Sequence, residues 1–329
     1  MIAGVFAFLA SVQVSGADTL RLAIWHEALS RDGPGLLLRD LQNEDEALRG
    51  LAAHVREAAP DILVLTKIDF DASDLAVRAF AEAIAPDEYP YVAALRSNEG
   101  VPSGFDMDGD TRGNEPEDAQ GYGRFPGQGA LAIISRHPIQ QDAAVSYDDI
   151  LWSALPGTHM LQSDAGWEVQ KLSSGGHWSV PVTIQQTDTS LLTLSLLIGH
   201  SGPPVFDGPE DRNGRRNLDE LRLWSQIVDG KHGLPPSSPS VFMANTNLDP
   251  NAGEGYRDAM QDFLASGLFQ DPLPGLPTAY WQNLDPMRVS YLLPSTGLDI
   301  VGAKRWPRPE GVTHHLLTVD IRVPEGVQP

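Results

Sequence analysis

The sequence predicts an α/β fold in which β-sheets pack face to face and helices lie outside them. Three observations carry this. Short apolar, β-branched runs recur along the chain and far outnumber amphipathic helical stripes. The first two runs bracket a helix, as in a β-α-β unit. Turn residues punctuate the remaining runs, a pattern that suits packed sheets with few helices.

The elements follow in order. "TLRLAIWH" supplies a first strand over Leu20 to Ile24, and Ile62 to Leu65 supply a second. Between them, "EDEALRGLAAHVREAAPD" puts Ala47, Leu48, Leu51, Ala52 and Val55 on one helical stripe that ends before Pro60. A helix is expected over Leu75 to Ala85. The segments "GALAIISRHPI", "WSVPVTI", "SLLTLSLLIGH", "PSVFMANTNLD", "RVSYLLPS" and "HHLLTVDIRV" read as strands, with further helices over Asn217 to Val228 and Gly255 to Ser266.

At 329 residues and 41% hydrophobic content, the chain can bury a large core. No Ser/Gly-rich linker or change of composition divides it, so one domain is expected over residues 18–329. Residues 1–17 read as a signal peptide. An apolar run from Ile2 to Val14, too short to span a bilayer, precedes Ser15 and Ala17 at the spacing of a signal-peptidase site, although no Lys or Arg precedes the run. The expectation is a periplasmic or secreted protein with no transmembrane segment in its mature part. Cysteine is absent, which excludes a disulfide framework, a thiolate metal site and a cysteine nucleophile. With 44 acidic against 23 basic residues, the net charge of −21 repels polyanions and argues against unaided nucleic-acid binding.

Several expected strands end in a polar residue with chemical potential: His26, Lys67, His200, Asn245 and Asn247, with His314 and His315 opening the last strand. Strand ends that converge on one rim are where packed-sheet proteins build sites. Two loops stand apart. "DMDGDTRGNEPE" has Asp106, Asp108, Asp110 and Glu117 at positions 1, 3, 5 and 12 of a calcium loop, although Thr111 replaces the usual glycine and no helix flanks it. It reads either as a calcium-braced loop or as an acidic surface loop. "PEDRNGRRN" gathers Arg212, Arg215 and Arg216 after His200. These could bind phosphate, but in so acidic a chain pairing with Asp207, Glu210 and Asp211 is the favoured reading.

The stretches "SRDGPGLLLRDL", "GRFPGQGALAIISRHPI" and "PPVFDGPEDRNGRRNLDELRLW" give the chain, from about Leu20 to Val323, a resemblance to the endonuclease/exonuclease/phosphatase superfamily, nearest to a bacterial exported branch. The resemblance implies a four-layer sandwich of two packed, mainly antiparallel β-sheets flanked by helices, and a metal-dependent phosphodiester or phosphomonoester hydrolase. It also implies a set of site positions. His200, Asn247 and His315 match residues the family uses and are retained. His26 stands where the family has Asn, and Lys67 where it has the metal-ligating Glu. Ser179, Asn245, Ser290 and His314 stand where the family or this branch has Asp.

Five positions acidic in the family, those of Lys67, Ser179, Asn245, Ser290 and His314, have thus lost their charge or reversed it. A hard Mg²⁺ or Mn²⁺ ion needs carboxylate oxygens, and an ammonium cannot share its seat. The expectation is an exported pseudo-enzyme with lost or strongly impaired metal-dependent phosphodiesterase activity, no cofactor at the ancestral site, and a small phosphorylated or protein ligand. Two alternatives remain open. One is an alignment slip that makes Asp69 or Asp71 the true ligand. The other is an active phosphoesterase or nuclease with a relocated site, using Mg or Mn, or zinc held by His26, His200, His314 and His315.

Overall fold

The computed structural model describes residues 19–27, 29–185 and 191–323. The signal peptide expected over residues 1–17 lies outside them. In chain order the first elements are β1 (Thr19–Trp25), α1 (Leu36–Gln42), α2 (Glu46–Ala58), β2 (Ile62–Ile68), α3 (Leu75–Ile84), β3 (Tyr91–Leu95) and β4 (Ala130–Ser135). They are followed by β5 (Val145–Ser146), β6 (Gly176–Gln185), β7 (Leu191–His200), α4 (Arg212–Val228), β8 (Ser240–Asn245), α5 (Arg257–Ala265), β9 (Ser290–Pro294), β10 (Asp299–Arg305) and β11 (Leu317–Arg322).

The strands form a six-stranded sheet, ordered β10-β11-β1-β2-β4-β3, and a five-stranded sheet, ordered β5-β6-β7-β8-β9. Seven of the nine strand pairings are antiparallel and one in each sheet is parallel, so both sheets are mixed. β1 pairs in parallel with β2, and β7 with β8. Each parallel pair is joined by helices, α1 and α2 in the first case and α4 in the second, because a parallel connection must cross over.

Alternation along the strands sorts the core into three layers. Leu22, Ile24, Val64, Leu196, Ile198 and Met243 meet between the two sheets. Trp25, Leu63 and Leu65 face outward against Leu48 and Val55 of α2 and Phe80 of α3. On the far side, Leu197, Phe242 and Tyr291 pack on Trp224 of α4 and on Met260 and Phe263 of α5. Each such fully buried side chain contributes about 1.5–3 kcal/mol relative to exposure. The helical stripe of α2 begins at Asp45, whose carboxylate accepts from the Leu48 N–H at 3.1 Å, and stops at Ala59 in the left-handed conformation (φ 47°), just before Pro60.

Four elements went unread in the sequence: α1, β3, β5 and β10. The last is an edge strand, "DIVGAKR", with little buried surface, so it carries no apolar alternation to read. α4 begins at Arg212, earlier than expected, and takes the arginine island into its first turns.

Candidate functional site

The strand ends meet at one rim of the sandwich. His26 continues the inter-sheet face of Leu22 and Ile24, His200 that of Leu196 and Ile198, Asn245 that of Met243, and Ser290 that of Leu292. Lys67 needs a further device, since strict alternation would put it on the outer face with Leu63 and Leu65. The β2/β4 register shifts between Leu65 and Ile68, and Ile68 packs in the outer core with Leu63 and Leu65. This irregularity turns Lys67 toward the rim.

There Lys67 Nζ donates to both oxygens of Glu99, at 3.0 and 2.8 Å. Glu99, just past β3, is 5% exposed. His200 Nδ1 lies 3.1 Å from Glu99 Oε1 but off the line of a good hydrogen bond, so this buried nitrogen has no aligned partner. Gly129 (φ 58°) makes room for the pair: a Cβ there would run into Glu99 Oε2 and lie 2.9 Å from Lys67 Nζ.

Above the pair sit three imidazoles. The His26 ring centroid is 4.7 Å from that of His200 and 4.5 Å from that of His314, and Trp281 meets His314 edge-on at 5.4 Å. His26 Nδ1 is 2.9 Å from Thr66 Oγ1. The buried Nδ1 of His314 has no partner. Beside them Asn245 Nδ2 donates to Asn247 Oδ1 at 3.0 Å, Ser290 Oγ donates to Asn245 Oδ1 at 3.2 Å, and Asn247 Nδ2 donates to the Ser201 carbonyl at 2.8 Å.

Burial dominates the electrostatics. It pushes the Glu99 carboxyl up, but Lys67 and His200 pull it back below its ordinary value, so Glu99 stays ionised. Burial also pushes His26 well below the ordinary histidine value, with His314, His200 and Lys67 adding to the effect. His200 is lowered by burial against the pull of Glu99, and His314 is lowered to about 3, chiefly by burial. At neutral pH the rim holds one internal ion pair and three uncharged imidazoles.

Of the residues expected from sequence, His26, Lys67, His200, Asn245, Asn247, Ser290 and His314 come together at this rim. His315 does not: its Nδ1–H donates to the Trp306 carbonyl at 2.6 Å and its ring packs on Tyr280 at 5.4 Å. The ring facing His200 and His26 is that of His314, and two adjacent histidines leave that register ambiguous in sequence. Ser179 also lies elsewhere. It shares the face of His177, which stacks on Trp224 of α4.

The two aspartates of the slipped-alignment reading are each engaged by nearby donors. Asp69 accepts from Ser30 Oγ at 2.6 Å and from the Arg31 and Gly129 N–H groups, and Asp71 accepts from backbone N–H groups at the start of α3. The arginines are internal braces. Arg215 pairs with Asp164, while Arg212 and Arg216 donate to carbonyls of residues 165 and 171–172; none pairs with the acids expected. In the acidic loop, Asp106, Asp108 and Asp118 bring carboxylate oxygens within 4.8 Å of one another, a set that could hold a metal ion. Asp118 stands there in place of Asp110 and Glu117. Among the described residues this is the only such group, so the ring nitrogens of the rim histidines do not converge as a zinc site requires.

Glu99 went unread. It follows the short run "YVAAL", itself missed as a strand, and the signal that could have found it is the one that found the others: a polar residue just past an apolar run. A hard divalent ion does not fit this rim. The carboxylate that faces Lys67, that of Glu99, already accepts from it with both oxygens.

A model of the Endonuclease/Exonuclease/phosphatase family matches residues 25–313. An endonuclease/exonuclease/phosphatase from Beutenbergia cavernae DSM 12333 superposes with a TM-score of 0.60 at 19% identity, over 93% of this chain and 72% of that one. A family protein from Leptotrichia buccalis C-1013-b gives 0.53 at 14% identity, over 92% and 100%. Sphingomyelinase C from Streptomyces griseocarneus gives 0.50 at 14% identity, over 92% and 99%. At these identities the likeness is one of fold. No curated protein matches the sequence.

Proposed function

Because this chain belongs to the endonuclease/exonuclease/phosphatase family, we propose that it is a pseudo-enzyme: it keeps the fold, has lost metal-dependent phosphodiester hydrolysis, and uses the rim to bind a ligand. The observation that carries this reading is the Lys67–Glu99 ion pair. In metal-assisted hydrolysis a divalent ion neutralises charge developing on the phosphoryl group and lowers the pKa of the attacking water. Here the cation is an ammonium tied to its own carboxylate, so the pair brings no net charge to a transition state. Asn245 donates to Asn247 where an Asp would accept a proton, and an amide cannot serve as a general base.

The rim supplies hydrogen-bonding groups instead. His200 and His314 each keep a buried nitrogen without an aligned partner, which a bound molecule can satisfy. The chemistry suits a small phosphorylated molecule or a segment of a protein. The active alternative with a histidine-rich metal centre gains no support from the spacing of the rings.

The test is hydrolysis of bis(p-nitrophenyl) phosphate and plasmid DNA with Mg²⁺, Mn²⁺ or Ca²⁺. No turnover above the protein-free rate is expected. Turnover that disappears in His314→Ala but survives in His315→Ala would refute the reading. We place calcium, as a brace, at Asp106, Asp108 and Asp118. We take residues 18–329 as one exported domain, a view supported by the core shared between both sheets, and expect the mature N-terminus to fall at residue 18 when sequenced.

A further inference from the structure

Lys304, Arg305 and Arg308 crowd into five residues of a chain that is otherwise strongly acidic. Among the described residues none of the three has an ion-pair partner, whereas most other arginines and lysines are paired or buried as braces. Aromatic rings hold two of them instead. Lys304 Nζ lies 3.2 Å from the Trp306 ring centroid, and the Arg308 guanidinium lies 4.7 Å from that of Tyr280 and donates to the Val312 carbonyl. Arg305 is spent on the Pro277 carbonyl, at 2.7 Å, and the Tyr280 hydroxyl. Lys304 and Arg308 are exposed, so their charge is available to solvent.

Arg308 lines a groove of about 350 Å³ between α2 and the Pro307–Pro309 turn, closed by His54, Glu57, Gly50 and Ala53. His54 packs against Trp25 and Trp306 at 5.4 and 6.2 Å, and its buried Nε2 has no partner. Burial lowers His54, Glu57 opposes this and Lys304 adds to it, so both charged groups act on the imidazole. The volume is at the small end of ligand pockets.

We infer that this groove binds a small hydroxylated phosphomonoester, with Arg308 and His54 on the phosphate, Lys304 adding its charge from beside Trp306 and Glu57 accepting from a hydroxyl. Arginine and lysine supply the charge-assisted donors such a group needs. A single carboxylate among these cations would repel a bare anion and reward a ligand that also carries a donor. The groove is lined by other residues than the rim, and the inference does not rest on the pseudo-enzyme reading.

The test titrates the full chain with inorganic phosphate and with glycerol 2-phosphate at fixed ionic strength. It follows tryptophan emission, since Trp25 and Trp306 flank His54. Saturable binding is expected, with glycerol 2-phosphate the tighter ligand. Arg308→Gln or Lys304→Gln should each weaken it about tenfold, Glu57→Gln should erase the preference over phosphate, and Lys231→Gln should change nothing. Absence of saturation, or unchanged affinity in the Arg308→Gln, Lys304→Gln double variant, overturns the site. Equal affinity for the two ligands overturns the phosphomonoester assignment.

Discussion

Two buried glutamates, each close to a histidine, serve opposite ends. Glu220 of α4 accepts from the Ser174 N–H at 2.7 Å, Ser174 Oγ at 2.6 Å and the Gly202 N–H at 2.8 Å, all neutral donors. Its neighbour His177 is bonded at both nitrogens, to Ser173 Oγ and to the Glu220 carbonyl. Burial raises Glu220. At the rim, Glu99 faces an ammonium, is held ionised, and leaves His200 and His314 with open nitrogens. Glu220 is thus held by neutral hydrogen bonds, whereas Glu99 is balanced by charge beside imidazoles that keep an open nitrogen.

The largest effect should come from breaking the charge balance. Lys67→Met strands an ionised Glu99 in a buried position and should cost about 3–5 kcal/mol in urea unfolding. Lys67→Met with Glu99→Gln should recover most of that loss. Glu220→Gln takes a Coulombic neighbour from the buried Arg216 but breaks no hydrogen-bonded ion pair, and should cost only about 1–2 kcal/mol. Equal losses in Lys67→Met and Glu220→Gln would erase the distinction between the two regions.

Acid should weaken both regions through their histidines. Burial lowers His314 to about 3 and His177 to about 4, each below the ordinary value of 6.5. The unfolded chain therefore takes up protons first. Stability from these neutral rings is complete above about pH 6.5 and is lost as pH falls toward 4 and 3, on the order of a few kcal/mol. Asp148, raised to about 6 by burial, acts with the opposite sign: its contribution is present below the ordinary Asp value of 3.8 and is lost as pH rises through 6. Urea midpoints measured from pH 8 to 4 should fall, and less steeply in His177→Gln.

Gly129→Ala should disturb only the rim. The new methyl group meets Glu99 and Lys67 at a positive φ, a strain of about 1–3 kcal/mol that leaves the Glu220 network untouched. The smallest effect lies at the acidic loop. Millimolar calcium should raise the melting temperature by a few degrees, EDTA should reverse the gain, and Asp118→Asn should abolish it.

The βαβ opening and the inter-sheet strands were legible because alternation and the α2 stripe are local patterns that burial enforces. The edge strand β10 was not, since an exposed strand has no apolar period. The positions of His26, Lys67, His200 and Asn245 followed from strand ends alone. Which of His314 and His315 turns inward did not, because neighbouring identical residues carry no register.

By itself the sequence determined a packed-sheet α/β fold, a rim of polar strand ends and a lysine at the end of the second strand. Only the tertiary structure decided what that cation does. Lys67 and Glu99 are 32 residues apart and meet through the turn of β2 at its irregularity and the cleared space at Gly129. Pairing at that separation depends on which strands lie side by side, and no local pattern encodes that.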